Sequence, residues 1–308
     1  MAAKELTMVT AAVPDVVGTA DAWMSATDYR KVAEYDVDAV QRSLWGVEAN
    51  SHPRAVVLAA RGYERGLLRL VETDRPAEVS PRVDWLGPLG IEFFSPDVDT
   101  VFKRMTAQPR FIPITPPTDF DLTYLGAGLV RTFGVRGPGN LGVFISTFRG
   151  GLPADVLPVV DRFVSPAVNV PTMAVERAPV EAFYREMFGI PIRFDGIVKD
   201  ADINRLMGAD PDWEFRMVTF WVAHWQMAEH HLHPPGRLAR PPIAKGRLRS
   251  GVAGFSLTVD DLDVVLKLAR EKGLEPRGPI ELHTPPHDGR RSACLQGPNG
   301  ELVELLEA

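Results

Sequence analysis

Residues 254–267 read GFSLTVDDLDVVLK, and residues 90–103 read GIEFFSPDVDTVFK. Each begins as a short alternating strand and passes through an acidic step, Asp261 and Asp263 in one, Asp97 and Asp99 in the other. Each then continues as an amphipathic helix. Carboxylates at that step offset the unpaired N–H groups and the positive dipole end of a helix. Downstream, each stretch reaches a glycine-rich turn and a final strand. Gly137-Pro138-Gly139-Asn140 precedes LGVFISTF, and Gly297-Pro298-Asn299-Gly300 precedes ELVELLEA. Strand, helix, turn and strand recur at an offset of about 160 residues, the mark of a duplicated unit.

Each unit has a weaker partner upstream. Residues 169–190, NVPTMAVERAPVEAFYREMFGI, read as strand, turn and a helix that ends at Gly189, and residues 213–231 follow as strands. Residues 6–17, 55–60 and 66–72 read as three further strands. The chain therefore divides into four units of roughly seventy residues, each a strand, a helix and several strands, which is an α+β design with mostly antiparallel sheets. Proline clusters punctuate it, because proline removes a donor and fixes φ. Residues 233–251 read as a crossing loop. The expected domains are residues 1–150 and 166–308, joined by a connector at 151–165.

The sequence AFYREMFGI, followed by GFSLTVDDLD and GPNGELVELLE, resembles the vicinal oxygen chelate superfamily, which includes glyoxalases, bleomycin-resistance proteins and extradiol dioxygenases. The resemblance covers nearly the whole chain and is strongest over residues 169–308. It implies four βαβββ modules forming two glyoxalase-like domains with curled sheets. It also implies a metal at the centre of each module pair, held by a His or Gln of a first strand and a Glu of a last strand.

The residues fit that metal pattern poorly. Strand alternation puts Gly254, Ser256 and Thr258 on one face and Ala253, Phe255, Leu257 and Val259 on the other. The resemblance places a His ligand at position 254, where this chain has glycine. The last-strand ligand falls on Glu304, whose neighbours on that face are Leu302 and Leu306. A carboxylate among apolar groups is paired, ligated or protonated. In WVAHWQMAEHHLH, residues 221–233, Glu229 and His230 are alternatives for the corresponding position of the third module, because a one-residue slip exchanges the two faces. Glu304 and Glu229 are thus the candidate metal ligands, and Mg²⁺, Mn²⁺ or Fe²⁺ are the ions considered, with a metal-free pocket an equal alternative. His230, His231 and His233 read as solvated loop residues. The stretch His283-Thr284-Pro285-Pro286-His287 is similar to one in extradiol dioxygenases that supplies histidines near the substrate, and a proline-rich surface loop explains it equally well. Ring cleavage by iron is disfavoured because both iron-ligand His positions lack histidine.

In the N-terminal half, Glu92 faces inward with Gly90 and Phe94, Phe144 stands where Glu304 stands, and Arg69 occupies the equivalent place in LLRLVE. Arg69 and Glu92 are therefore expected to meet, first as a structural pair and alternatively as an anion-holding cation beside a base.

The chain has 308 residues, 45% of them hydrophobic, and a formal net charge of −6. Two ordinary cores are within reach, and no basic stripe invites nucleic acid. With one cysteine, Cys294, no internal disulfide forms. No apolar run is long enough for a membrane span. A cytoplasmic protein with a small-molecule substrate, open to homodimerisation, is expected. The leading activity is proton transfer on a carbonyl- or enol-containing molecule, as in an isomerase, epimerase or lyase, with Glu304 as ligand or base and His283 or His287 as partner. The alternative is a metal-free binding protein whose pocket is lined by Trp213, Phe215, Phe220, Trp221 and Trp225.

Overall fold

The computed structural model describes residues 3–48, 53–73, 85–126, 128–150, 164–223, 226–240 and 246–308. The expected connector falls mostly outside them, and so do the middle of the 233–251 loop, His224 and Trp225.

Four modules are present. The first holds β1 (Ala3–Val13), α1 (Val16–Thr27), β2 (Arg30–Asp36), α2 (Ala39–Trp45), β3 (Arg54–Ala59) and β4 (Leu67–Glu72). A two-residue strand, β5 (Gly87–Pro88), leads into the second module, which holds β6 (Gly90–Phe94), α3 (Val98–Thr106), β7 (Ile112–Leu122), β8 (Gly128–Gly137) and β9 (Leu141–Phe148). The third holds β10 (Asn169–Ala174), α4 (Arg177–Glu181), β11 (Ile192–Val198), α5 (Ala201–Met207), β12 (Phe215–Ala223) and β13 (Gln226–Leu232). The fourth holds β14 (Gly251–Val259), α6 (Leu262–Glu271), β15 (Arg277–Leu282), β16 (Arg290–Gln296) and β17 (Leu302–Glu307). The acidic steps do cap helices. Asp15, Asp97 and Asp261 accept the backbone N–H of Gly18, Thr100 and Val264 at the starts of α1, α3 and α6. In the third module the cap is Glu176, which makes no such bond, and α4 loosens into a π-helical turn over Ala182–Met187 before Gly189 stops it at φ 67°. Glycine enters that left-handed region without a Cβ penalty.

Within every module the first and last strands run parallel, and the remaining strands are antiparallel. The modules do not pair by halves, however. One sheet runs β15-β16-β17-β14-β1-β4-β3-β2, and the other runs β11-β12-β13-β10-β6-β9-β8-β7. The first module closes on the fourth and the second on the third, so each sheet draws on both of the expected domains 1–150 and 166–308. Sequence order suggested the simpler pairing. The junction strands decide otherwise: β1 meets β14 antiparallel from Ala3 to Ala12, and β10 meets β6 at Asn169 and Glu92.

The helices α1 and α3 pack on each other, and α6 packs on the π-helical turn. Their apolar faces join both sheets in one core, with Trp23, Tyr29 and Phe93 set edge-on or tilted at centroid separations of 5.1–6.2 Å. Each fully buried ring of this kind contributes about 1.5–3 kcal/mol relative to exposure. Polar ties cross between the sheets as well. The Gln226 side-chain amide bonds both backbone groups of Leu6, and the Tyr184 hydroxyl donates to buried Glu301 at 2.9 Å. The two sheet faces turned away from these helices carry the charged side chains singled out in the sequence.

Candidate active site

Five residues before each helix cap, the first strand presents one side chain to the concave face, and the last strand presents its register partner. These pairs are Thr10 with Arg69, Glu92 with Phe144, Pro171 with Glu229, and Ser256 with Glu304. Each sheet therefore brings four such positions together. One set contains an arginine and a glutamate, the other two glutamates.

In the first set, Arg69 and Glu304 are both sealed from solvent, with Nη2 of Arg69 3.0 Å from Oε2 of Glu304. Thr10 Oγ1 accepts from Nε and Nη2 of the same guanidinium at 3.0 and 2.8 Å. Trp45 stacks on the guanidinium at 4.5 Å and donates its indole N–H to Oε1 of Glu304 at 3.0 Å. Ser256 donates to Oε2 at 2.6 Å. Burial alone raises the Glu304 carboxyl, but Arg69, His287 and the two hydrogen bonds outweigh it and bring it down to about 2. His287 is buried, and its Nε2 accepts from Nη1 of Arg69 at 3.1 Å. Burial pushes its pKa down to about 4, which keeps it neutral as an acceptor. Gly254 could not carry a ligand, because a Cβ there would lie 1.9 Å from the Leu302 carbonyl oxygen.

Several expectations change here. Arg69 does not meet Glu92, since they lie in different sheets, and its partner is Glu304. Glu304 and Glu229 belong to separate sets and cannot share one ion. His283 stands 75% exposed, 3.8 Å from Glu281, outside either set. A metal does not fit the first set, because the guanidinium already supplies a cation among the oxygens that would ligate it.

The second set opens onto a cavity of about 400 Å³. Phe94, Phe120, Phe144, Phe148, Phe194 and Trp221 make much of its wall. Most of its polar groups gather around two carboxyls. Asn169, fully buried, donates through Nδ2 to Oε2 of Glu92 at 3.0 Å and to Oε2 of Glu229 at 3.1 Å. Ser146 donates to Oε1 of Glu92 at 2.7 Å and accepts from Thr132 at 2.9 Å. Nε2 of His231 lies 2.5 Å from Oε1 of Glu229, and the imidazole stacks on Phe215 at 4.5 Å. Burial, and then the nearby Glu229 carboxylate, raise the Glu92 carboxyl to about 7, against the hydrogen bonds from Ser146 and Asn169. Such a carboxyl exchanges protons near neutrality.

The strand register resolves the choice between Glu229 and His230. Glu229 faces the cavity with Met227 and His231, whereas His230 lies on the other face against Tyr184 at 4.7 Å. His230, His231 and His233 are all buried rather than solvated, so the reading of a solvated loop is overturned. Of the aromatic residues expected to line a pocket, Trp221 does so, Phe215 backs His231, Phe220 is core, and Trp213 meets His233 edge-on at 5.1 Å. Asn169, Ser146 and His231 were not assigned roles from sequence. Only the alternation that joins His231 to Glu229 could have flagged one of them. A metal fits this set poorly too, because Asn169 turns N–H donors toward the point both carboxylates face. Among the described residues no group of three or more His, Cys, Asp or Glu side chains is placed to hold an ion.

No family model matches the chain. No curated protein matches it by sequence. Solved structures do match in fold. Glyoxalase I from Zea mays superposes with a TM-score of 0.65 at 14% identity, covering 98% of this chain and 92% of that one. A mutant of the same maize enzyme gives 0.67, again at 14% identity with the same coverage of both chains. A candidate dioxygenase from Bacillus subtilis gives 0.61 at 12% identity, covering 99% of this chain and 86% of that one. The chain has the vicinal oxygen chelate fold in its two-sheet, four-module form.

Proposed function

We propose that this chain, built on the vicinal oxygen chelate fold, is an enzyme that moves a proton on a small, largely apolar carbonyl- or enol-containing molecule. The observation that carries the reading is the pair Glu92 and Glu229, bridged by Asn169 in a cavity with a largely aromatic wall. A carboxyl that takes a proton from one carbon of the substrate and gives the same proton back at another is left as it began, which is the economy of an isomerase. A lyase needs the first step and a protonated leaving group.

Glu92 acts as the base. Its carboxyl, raised to about 7, is a stronger proton acceptor than an ordinary glutamate yet is ionised in part at neutral pH. Asn169 and Ser146 hold its oxygens in place, and His231 does the same for Glu229. Thr219 lines the cavity and offers a hydroxyl to the oxygen on which enolate charge develops. The apolar wall excludes water and strengthens each of these interactions. The Arg69–Glu304 cluster takes no part, because its charges are already satisfied by one another.

Exchange of solvent deuterium into enolisable ketones, followed by proton NMR, tests the reading. Exchange catalysed by the native chain and lost in a folded Glu92→Gln variant supports it. A second reading, a binding protein without turnover, draws on the aromatic wall. Ketones that bind equally to both forms and never exchange would leave that second reading in its place.

A further inference from the structure

Arg193 lies on β11 at the rim of the same cavity. Its guanidinium carbon sits 5.6 Å from the centre of the Trp221 ring, and both side chains line the opening. The nearby carboxylate on that strand, Asp195, is already engaged by Arg177 and Arg216. Among the described residues no carboxylate pairs with Arg193. Trp221 holds the flat cation in place without neutralising it, since a ring face attracts the charge but carries none. At the other end of the cavity stand two carboxyls. An anionic group is repelled from that end and drawn to the rim, so the charge order sets which way a ligand enters. Phe194 pairs with Thr219, and Thr219 with Glu229. Arg193 is therefore two strands from Glu229, roughly 10 Å along the sheet. Thr219 stands on the intervening strand, with Phe194 and Trp221 also lining the cavity.

We infer that the substrate is an apolar keto acid whose carboxylate docks on Arg193 while its enolisable carbon, several bonds away, lies between Glu92 and Glu229. This deepens the proton-transfer reading of the cavity and rests on it. Arg193 is a specificity-determining residue. It touches the end of the substrate that does not react.

The probes are 5-benzoylpentanoate and its neutral counterpart 5-benzoylpentan-1-ol, which differ only at the far end. Titration calorimetry on the full chain should show the acid binding about fivefold or more tightly, the scale of a partly exposed ion pair with a hydrogen-bonded guanidinium. Arg193→Gln should remove the preference without weakening the alcohol. Salt should weaken the acid alone. Equal binding of the two probes, no binding of the acid at millimolar concentration, or a preference that survives Arg193→Gln would overturn the inference. Deuterium exchange beside the ketone is read on the same samples. A charge preference with no exchange leaves the docking of the acid standing and removes the proton-transfer reading. Exchange with no charge preference does the reverse.

Discussion

Nη2 of Arg69 lies 3.0 Å from Oε2 of Glu304, with the two side chains 1% and 2% exposed, and so ties the last strand of the first module to the last strand of the fourth. The guanidinium is a cation fixed to the chain, ringed by Thr10, Glu304 and His287 and covered by Trp45. A buried pair of this kind is costly to break and of little net worth, because each charge has lost its water. Arg69→Met alone should destabilise the fold by about 3–5 kcal/mol, since it strands a charged Glu304. Arg69→Met combined with Glu304→Leu should return to within about 2 kcal/mol of the native chain and keep its activity. Urea denaturation of the three forms measures this. A single variant as stable as the native chain would show that the pair is not what holds this site.

Glu92 has the opposite balance. Its folded pKa, about 7, lies above the unfolded value near 4.5. A raised carboxyl contributes stability that is full below the unfolded pKa and is lost as pH rises through the folded one. At pH 8.5 the native chain therefore carries an unfavourable ionised Glu92, worth about 3 kcal/mol. Glu92→Gln should melt higher than the native chain at pH 8.5 and nearly with it at pH 4.5. Calorimetric melting at the two pH values checks the sign. The same variant should lose about 10²–10⁴ of the activity, and the native rate should climb through about pH 7 as the base ionises.

The modules were legible because alternation and helix caps are local. GFSLTVDDLD and GIEFFSPDVD display a strand, an acidic cap and a helix start within ten residues, and Asp97 and Asp261 do cap helices. The edge strand β2 was not legible, since its sequence, RKVAEYD, is half charged and lacks a buried face. Pairing between modules is a long-range choice that no window of sequence contains. The consequence fell on the site. Arg69 and Glu92 were read as neighbours because both hold inward-facing module positions in one half of the chain, but β4 and β6 belong to different sheets. Glu304 was correctly placed on an inward face, and its partner came from 235 residues away. Asn169 was given no role because a neutral amide has no signature until two carboxylates flank it.

Three of the buried histidines weaken the fold in acid. Burial lowers His230 and His233 to about 3 and His287 to about 4. A histidine kept neutral by the fold contributes stability that is full above its unfolded pKa, near 6.5. That contribution is lost as pH falls toward the folded value, because the unfolded chain takes up the proton first. Each adds about 1.4 kcal/mol of loss per pH unit across that window. Glu92 opposes them between about pH 7 and 4.5, so Glu92→Gln should be the more acid-sensitive form. In proton NMR, three imidazoles should resist protonation at pH 5, and the urea midpoint should fall steeply from pH 6 to 4. Three histidines titrating near 6.5 would contradict the buried environment described for them.

Asn169 controls how the two carboxyls of the cavity share charge. One amide nitrogen, through its two hydrogens, reaches Oε2 of both Glu92 and Glu229. Removing that donor takes from ionised Glu92 one of the two side-chain hydrogen bonds that hold its pKa down, while burial and Glu229 still raise it. Asn169→Leu should therefore move the rise in rate from about pH 7 to higher pH, by about one unit. Substrate affinity should change less, because the aromatic wall is untouched. Asn169→Gln, which keeps the donor on a longer arm, should recover part of the shift. A pH–rate profile of the three forms separates this role from a merely structural one, since a loosened cavity lowers the rate at every pH and leaves the midpoint where it was.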